Sequence, residues 1–120
     1  MQYLLMIYGE EKKWNEMPEA AKGQAMQGYM AYGEALRKAG VYVGSERLRD
    51  VTDATTVSVV GGKTQVMDGP FADTKEQLGG YYAIEVKDLD EAISWAARCP
   101  GASHGKVEVR PIWAMGGRPG

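Results

Sequence analysis

Few positions in this chain combine residue types that do chemistry. Asp68 leads them. It is a carboxylate at the end of a strand-like run, followed by Gly69-Pro70-Phe71, with Tyr81 and Tyr82 downstream. A carboxylate pressed against aromatic rings loses solvation, holds its proton more tightly and can act as an acid or base. The competing role is local. An Asp ahead of Gly-Pro can fold its carboxylate onto backbone N–H groups two residues on, as an Asx-turn. His104, in Ser103-His104-Gly105, is the second acid–base candidate, because its unperturbed pKa lies near neutrality. A solvated loop histidine is the plainer reading, and nothing in the spacing brings it to Asp68. Tyr8, Phe71, Tyr81 and Tyr82 are candidate ligand-lining rings, with Glu46 and Arg110 able to orient a ligand by charge. Tyr81 and Tyr82 are strand neighbours, so they face opposite sides of a sheet.

Other chemistries are excluded by counting. One Cys (Cys99) and one His cannot build a His/Cys metal site within a chain, and one Cys forms no internal disulfide. Gly62-Lys63-Thr64 matches the end of a P-loop, but the required first Gly falls at Val57 and a strand follows where a helix belongs. No Rossmann glycine pattern is present, and neither Ser58 nor Cys99 has an adjacent His to activate it. No His occupies a plausible haem-ligand position. No metal or cofactor is therefore expected.

The chain has 120 residues, enough for one domain with its own core. A net charge of −2 without a basic cluster argues against a nucleic-acid partner, which needs Lys and Arg to displace counterions. No apolar run approaches the ~18 residues of a membrane helix, and no leader with a cleavage site is apparent. A cytoplasmic location is expected. Seven Met and seven Tyr suit an irregular pocket or interface as well as ordinary core filling.

These candidates need a scaffold. Tyr3–Tyr8 is almost unbroken apolar sequence and predicts a strand covered on both faces. Glu10–Met17 is polar and reads as a loop. Pro18 suits the first position of a helix whose stripe is Ala25, Tyr29, Tyr32, Leu36 and Ala39, widened by Met26 and Met30 and ended by Gly40. Strands follow at 41–48, 55–60 and 63–67, the last two joined by a Gly61-Gly62 hairpin turn. In the central bend Phe71 is expected to plug the turn. Asp73-Thr74-Lys75-Glu76 has capping-box spacing for a short helical turn ended by Gly79-Gly80. A strand at 81–86 precedes a second helix, capped by Asp88 with Leu89, Ala92, Ile93 and Ala96 buried and Pro100-Gly101 as its stop. A last strand runs over 107–112.

The order β-α-β, hairpin, β-α-β predicts an α+β, ferredoxin-like subunit: an antiparallel sheet with two helices on one face. The opposite face is left bare although both parities of two strands are apolar, so a second copy of the chain is the expected partner.

The motifs carry a resemblance as well. Asp68-Gly69-Pro70-Phe71 with Thr74-Lys75-Glu76-Gln77-Leu78-Gly79-Gly80-Tyr81-Tyr82 resembles the signature of YCII-related proteins, in particular their DGPF-domain branch. Tyr3-Leu4-Leu5-Met6-Ile7-Tyr8-Gly9 and Val107-Glu108-Val109-Arg110-Pro111-Ile112 match too, so the resemblance spans about residues 1–113. It implies a dimeric α+β barrel with a single domain over residues 1–115; the tail at 116–120, Gly-Gly-Arg-Pro-Gly, is expected to be flexible from its composition. Some relatives carry a His–Asp pair proposed as an acid/base centre. This chain has no His in its first helix or second strand, so that pair is not reproduced. Two functions follow by analogy. One is a homodimer, a small-molecule-binding protein or an enzyme, with a pocket for a small organic ligand near the central bend. The other is a non-catalytic regulatory or interaction module of the kind associated with sigma-factor-type transcription regulation.

Overall fold

The computed structural model describes residues 1–114, and the expected tail at 116–120 lies outside them. The elements are β1 (Gln2–Gly9), α1 (Glu11–Asn15), α2 (Glu19–Lys38), β2 (Tyr42–Arg47), a 3₁₀ turn (Val51–Asp53), β3 (Thr55–Val60), β4 (Lys63–Asp68), β5 (Gln77–Glu85), α3 (Leu89–Arg98), α4 (Gly101–His104) and β6 (Lys106–Pro111). Four strands form an antiparallel sheet in the order β2-β5-β1-β6, while β3 and β4 pair only with each other. The body is thus the expected ferredoxin-like α+β unit, with the hairpin inserted between its halves.

Both long helices cover one face of the sheet. Tyr32 and Leu36 from α2 and Ala92, Trp95 and Ala96 from α3 pack on Tyr3 and Leu5 of β1 and Tyr82 and Ile84 of β5. Leu5, Leu36 and Ile84 are fully buried, each contributing about 2 kcal/mol of apolar transfer free energy. The alternate residues Leu4, Met6, Tyr81 and Ala83 point to the other face and are only half-buried. The apolar character of both parities in β1 and β5 is therefore real, and one side of it is uncovered.

Several local elements differ from expectation. Glu10–Met17 is not a loop: α1 forms there, helped by a Lys13–Glu10 ion pair at 2.8 Å, one turn apart. Pro18 is the N-cap of α2 rather than its first helical residue. The α2 stripe is narrower than its spacing suggests, since Met30 is 72% exposed and Ala39 lies at the exposed C-cap. On α3 the buried face is Ala92, Trp95 and Ala96, whereas Leu89 and Ile93 are exposed. The helix is turned to seat Trp95, whose ring meets Tyr32 edge-on at 6.3 Å and whose carbonyl accepts from the Tyr32 hydroxyl at 2.6 Å. The α3 cap is as expected: Asp88 accepts from the Glu91 N–H at 2.9 Å. Pro100 ends α3, but a further helical turn, α4, follows at once and carries His104.

The central stretch departs most. Asp73–Glu76 forms no helical turn, and β5 already begins at Gln77. Gly79 and Gly80 therefore lie inside a strand. Gly79 takes up the register shift between Ile7↔Gly80 and Tyr8↔Leu78, and a Cβ on Gly80 would stand 2.7 Å from the Glu46 carbonyl oxygen. Gly80 fits because β2 approaches too closely for a side chain, and Gly79 sits at the irregularity in the β1–β5 register; neither marks the end of a helix.

The hairpin forms as its Gly61-Gly62 turn predicts, with φ of 56° and 78° matching a type I′ turn. It projects from the body. The radius of gyration is 16.4 Å, against about 14 Å for a compact domain of this length.

Candidate functional site

Asp68 ends β4 opposite Thr55, at the base of the projecting hairpin. The bend after it is held by backbone and a threonine. Gly69 takes φ of +96°, its N–H donates to the Ala54 carbonyl at 2.7 Å, and its own carbonyl accepts from the Thr56 hydroxyl at 2.8 Å. The Asp68 carboxylate takes no part: it is exposed and has no hydrogen-bond partner among the described residues, so the expected Asx-turn is absent. Phe71 does not plug the bend but stands 83% exposed. His104 is exposed on α4, and no hydrogen bond or ion pair joins it to Asp68 among the described residues. The two acid–base candidates are thus not assembled into one centre in the single subunit.

The ring and charge candidates divide between the faces of the sheet. Tyr82 belongs to the helix-covered core: it packs edge-on to Tyr32 at 5.1 Å and donates to the Tyr29 carbonyl at 3.3 Å. Burial pushes its hydroxyl up to about 12, and Tyr29 likewise to about 12. Tyr82 is therefore a residue of the helix-covered core rather than of the open face. Cys99 lies in the same core, 1% exposed, its thiol pushed upward by burial and hence poorly nucleophilic.

Tyr8, Glu46, Tyr81 and Arg110 sit at positions of the open face. The register sets Glu46 beside Tyr81, Tyr81 beside Met6 and Met6 beside Glu108; Leu4 lies beside Arg110 and Tyr8 beside Lys106. Arg110 pairs with Glu108 on its own strand, its Nε at 2.9 Å. The face is apolar along the central strands β1 and β5 and charged along the edge strands β2 and β6.

Beyond Tyr8 the sheet opens into a groove of about 520 Å³, lined in part by Glu11, Asn15, Asp50, Lys75 and Gln77. Gly9 pairs with Gln77, so the groove starts where β1 and β5 leave the sheet. Its walls are tied together by side chains. Gln77 Oε1 accepts from the Glu11 N–H at 2.9 Å, and its amide nitrogen donates to the Thr74 carbonyl at 2.5 Å. The Glu11 carboxylate accepts from the Val51 N–H at 3.1 Å, and Asn15 donates to Asp50 at 3.0 Å. Trp14 lies under the Arg47 guanidinium, 5.3 Å from its ring centroid. The hydrogen bond from Lys13 holds the Glu10 carboxyl below its usual range. Three segments distant in sequence are thereby framed around one depression.

Sequence reasoning placed none of Glu11, Asn15, Asp50 and Gln77 in a site. A signal was present in Glu10-Glu11-Lys12-Lys13-Trp14-Asn15, whose charges at a spacing of three suit one helical face. The long-range partners Val51 and Gln77 had no local signature. Among the described residues no three His, Cys, Asp or Glu side chains gather as metal ligands. No helix there is long and apolar enough to cross a membrane.

Comparison with known proteins identifies the family. An uncharacterized protein of Rhizobium meliloti (strain 1021), R00369, is 37% identical over 114 residues, which cover 93% of this chain and 92% of that one. The YCII-related domain matches residues 1–116, and the chain belongs to the YCII-related family.

Proposed function

We propose that the protein is a cytoplasmic homodimer of the DGPF branch of this family, and that it binds a small polar organic ligand in the groove beside the central bend. The observation that carries this reading is the side-chain frame around the groove. Glu11, Asn15, Asp50 and Gln77 spend their hydrogen bonds on tying the walls to one another, which leaves an open, preorganised depression lined by polar residues. The reading is one of binding, and it assigns no acid–base pair. Dimerisation is supported by the layout of the open face. Leu4, Met6, Tyr81 and Ala83 would form an apolar centre and the edge charges a polar rim. A two-fold axis along the strands would set Glu46 at the β2 edge of one copy against the β6 edge of the other, where Lys106 and Arg110 outnumber Glu108. Closing the two sheets in this way makes an α+β barrel and covers Tyr8, Tyr81 and Arg110.

Thermal-shift screening against a metabolite panel tests the ligand. A compound that raises the melting temperature of wild type and of Asp68→Asn, but not of Gln77→Ala, is the expected result. No stabilising compound, or one indifferent to Gln77→Ala, would overturn the assignment. Light scattering tests the dimer: wild type is expected at twice the chain mass and Met6→Lys at the chain mass.

A second reading is favoured by the exposure of Phe71 and Asp68, neither of which lines the groove. A regulatory or interaction module allied to sigma-factor-type regulators would use that bend as its contact. Loss of partner binding in Phe71→Ala, with the groove ligand still bound, would select it.

A further inference from the structure

The helix α1 is attached to the body without being packed into it. No residue of Glu11–Asn15 is buried, and no side chain caps the helix start. A helix this short does not persist in water by itself, so its shape depends on what holds it. Four contacts to other segments do so, each through a side chain. The Glu11 N–H donates to Gln77 Oε1 at 2.9 Å, and the Glu11 carboxylate accepts from the Val51 N–H at 3.1 Å. Asn15 donates to Asp50 at 3.0 Å, and Trp14 lies half-buried under the Arg47 guanidinium. The chain on either side suits a hinge. At Gly9 nothing stands within 4 Å of where a Cβ would be. Pro18 is extended, with ψ of 151°, and has no N–H, so α1 and α2 are not one continuous helix.

The same contacts complete the groove. Glu11, Asn15 and Glu16 line it from α1 and its C-cap, together with Asp50, Lys75 and Gln77 from other segments. We propose that α1 is a clasp: it docks and releases as one unit, and the groove is whole only while it is docked. Release uncovers no residue of the core. Its cost is a few part-exposed hydrogen bonds and one cation–π contact, so it belongs to the least stable end of the molecule. A compound that touches both walls binds only the docked state, so filling the groove and ordering α1 rise together. This deepens the ligand assignment above and rests on it for what the clasp serves; the opening itself needs no ligand.

Amide hydrogen exchange, followed by NMR on the unliganded protein, tests it. Two amides report the clasp, because each is bonded across it to a side chain: Glu11 to Gln77, and Val51 to Glu11. Both are expected to exchange well before the amides of the β1–β5 ladder. Each is then read in a variant that does not touch it. Gln77→Ala is expected to speed exchange at Val51 about threefold, the effect of losing one exposed hydrogen bond elsewhere on the clasp. Asn15→Asp sets a carboxylate against Asp50 in place of a donor and is expected to speed exchange at Glu11 about tenfold. If the two amides exchange as slowly as the ladder, or if either variant leaves the distant amide unchanged, α1 does not move as a unit and the inference fails. That failure leaves the thermal-shift assignment standing. A screen without a stabilising compound, beside amides that respond as expected, removes the ligand and leaves the clasp.

Discussion

The body and the projecting hairpin are built from similar residues to opposite effect. Valine, tyrosine and leucine in the four-stranded sheet disappear beneath α2 and α3, and every buried hydrophobic residue lies in that body. Valine in β3 and β4 is left in water. One region is a finished fold held by its own packing. The other keeps its shape through a glycine turn, a short ladder and the Thr56–Gly69 bond. The lesson is that the chain invests its core in a platform and leaves its most specific motif, Asp68-Gly69-Pro70-Phe71, at the unfinished end.

The largest break in this contrast is expected from the body. Leu36→Ala empties a fully buried site and should cost about 3 kcal/mol in urea unfolding, within the usual 2–5 for such a cavity. An alkaline titration sharpens it at intermediate size. Tyr29 and Tyr82 ionise near 10 when unfolded and near 12 when folded. Their folded values are raised, so the stability they lend is complete below pH 10 and lost as pH climbs toward 12. Absorbance at the phenolate band should show a second, delayed ionisation phase that coincides with unfolding. The smallest effect belongs to the bend. Phe71→Ala and Asp68→Asn should each change the stability of the isolated subunit by under about 0.5 kcal/mol, because neither side chain is buried or hydrogen-bonded within it. A clearly larger loss at Phe71 would mean that another chain covers the bend, and the contrast between the two regions would then hold only for the single subunit.

The same contrast explains what could be read from sequence. Features with local causes were legible: the Gly61-Gly62 turn, the Asp88 cap, the apolar residues at both parities of β1 and β5, and the βαβ order that sets the sheet. Features decided at a distance were not. Gly79-Gly80 looks like a helix stop until Gly80 is seen to lie against the β2 backbone and Gly79 at a shift in the β1–β5 register. The face of α3 was misread because Trp95, facing Tyr32, outweighs Leu89 and Ile93 in fixing its rotation. The groove escaped for the same reason, since Glu11 meets Val51 and Gln77 only after folding. Asp68 and Phe71 were legible as unusual residues, but their exposure was not, because a turn motif does not say what lies above it.

The deep seat of Cys99 has a practical corollary. With its lone thiol sealed in the core at the end of α3, the native chain is a blank for thiol-directed probes. A spin label or dye placed at the hairpin tip would report distances between arms in solution without first stripping the protein of its own reactive groups.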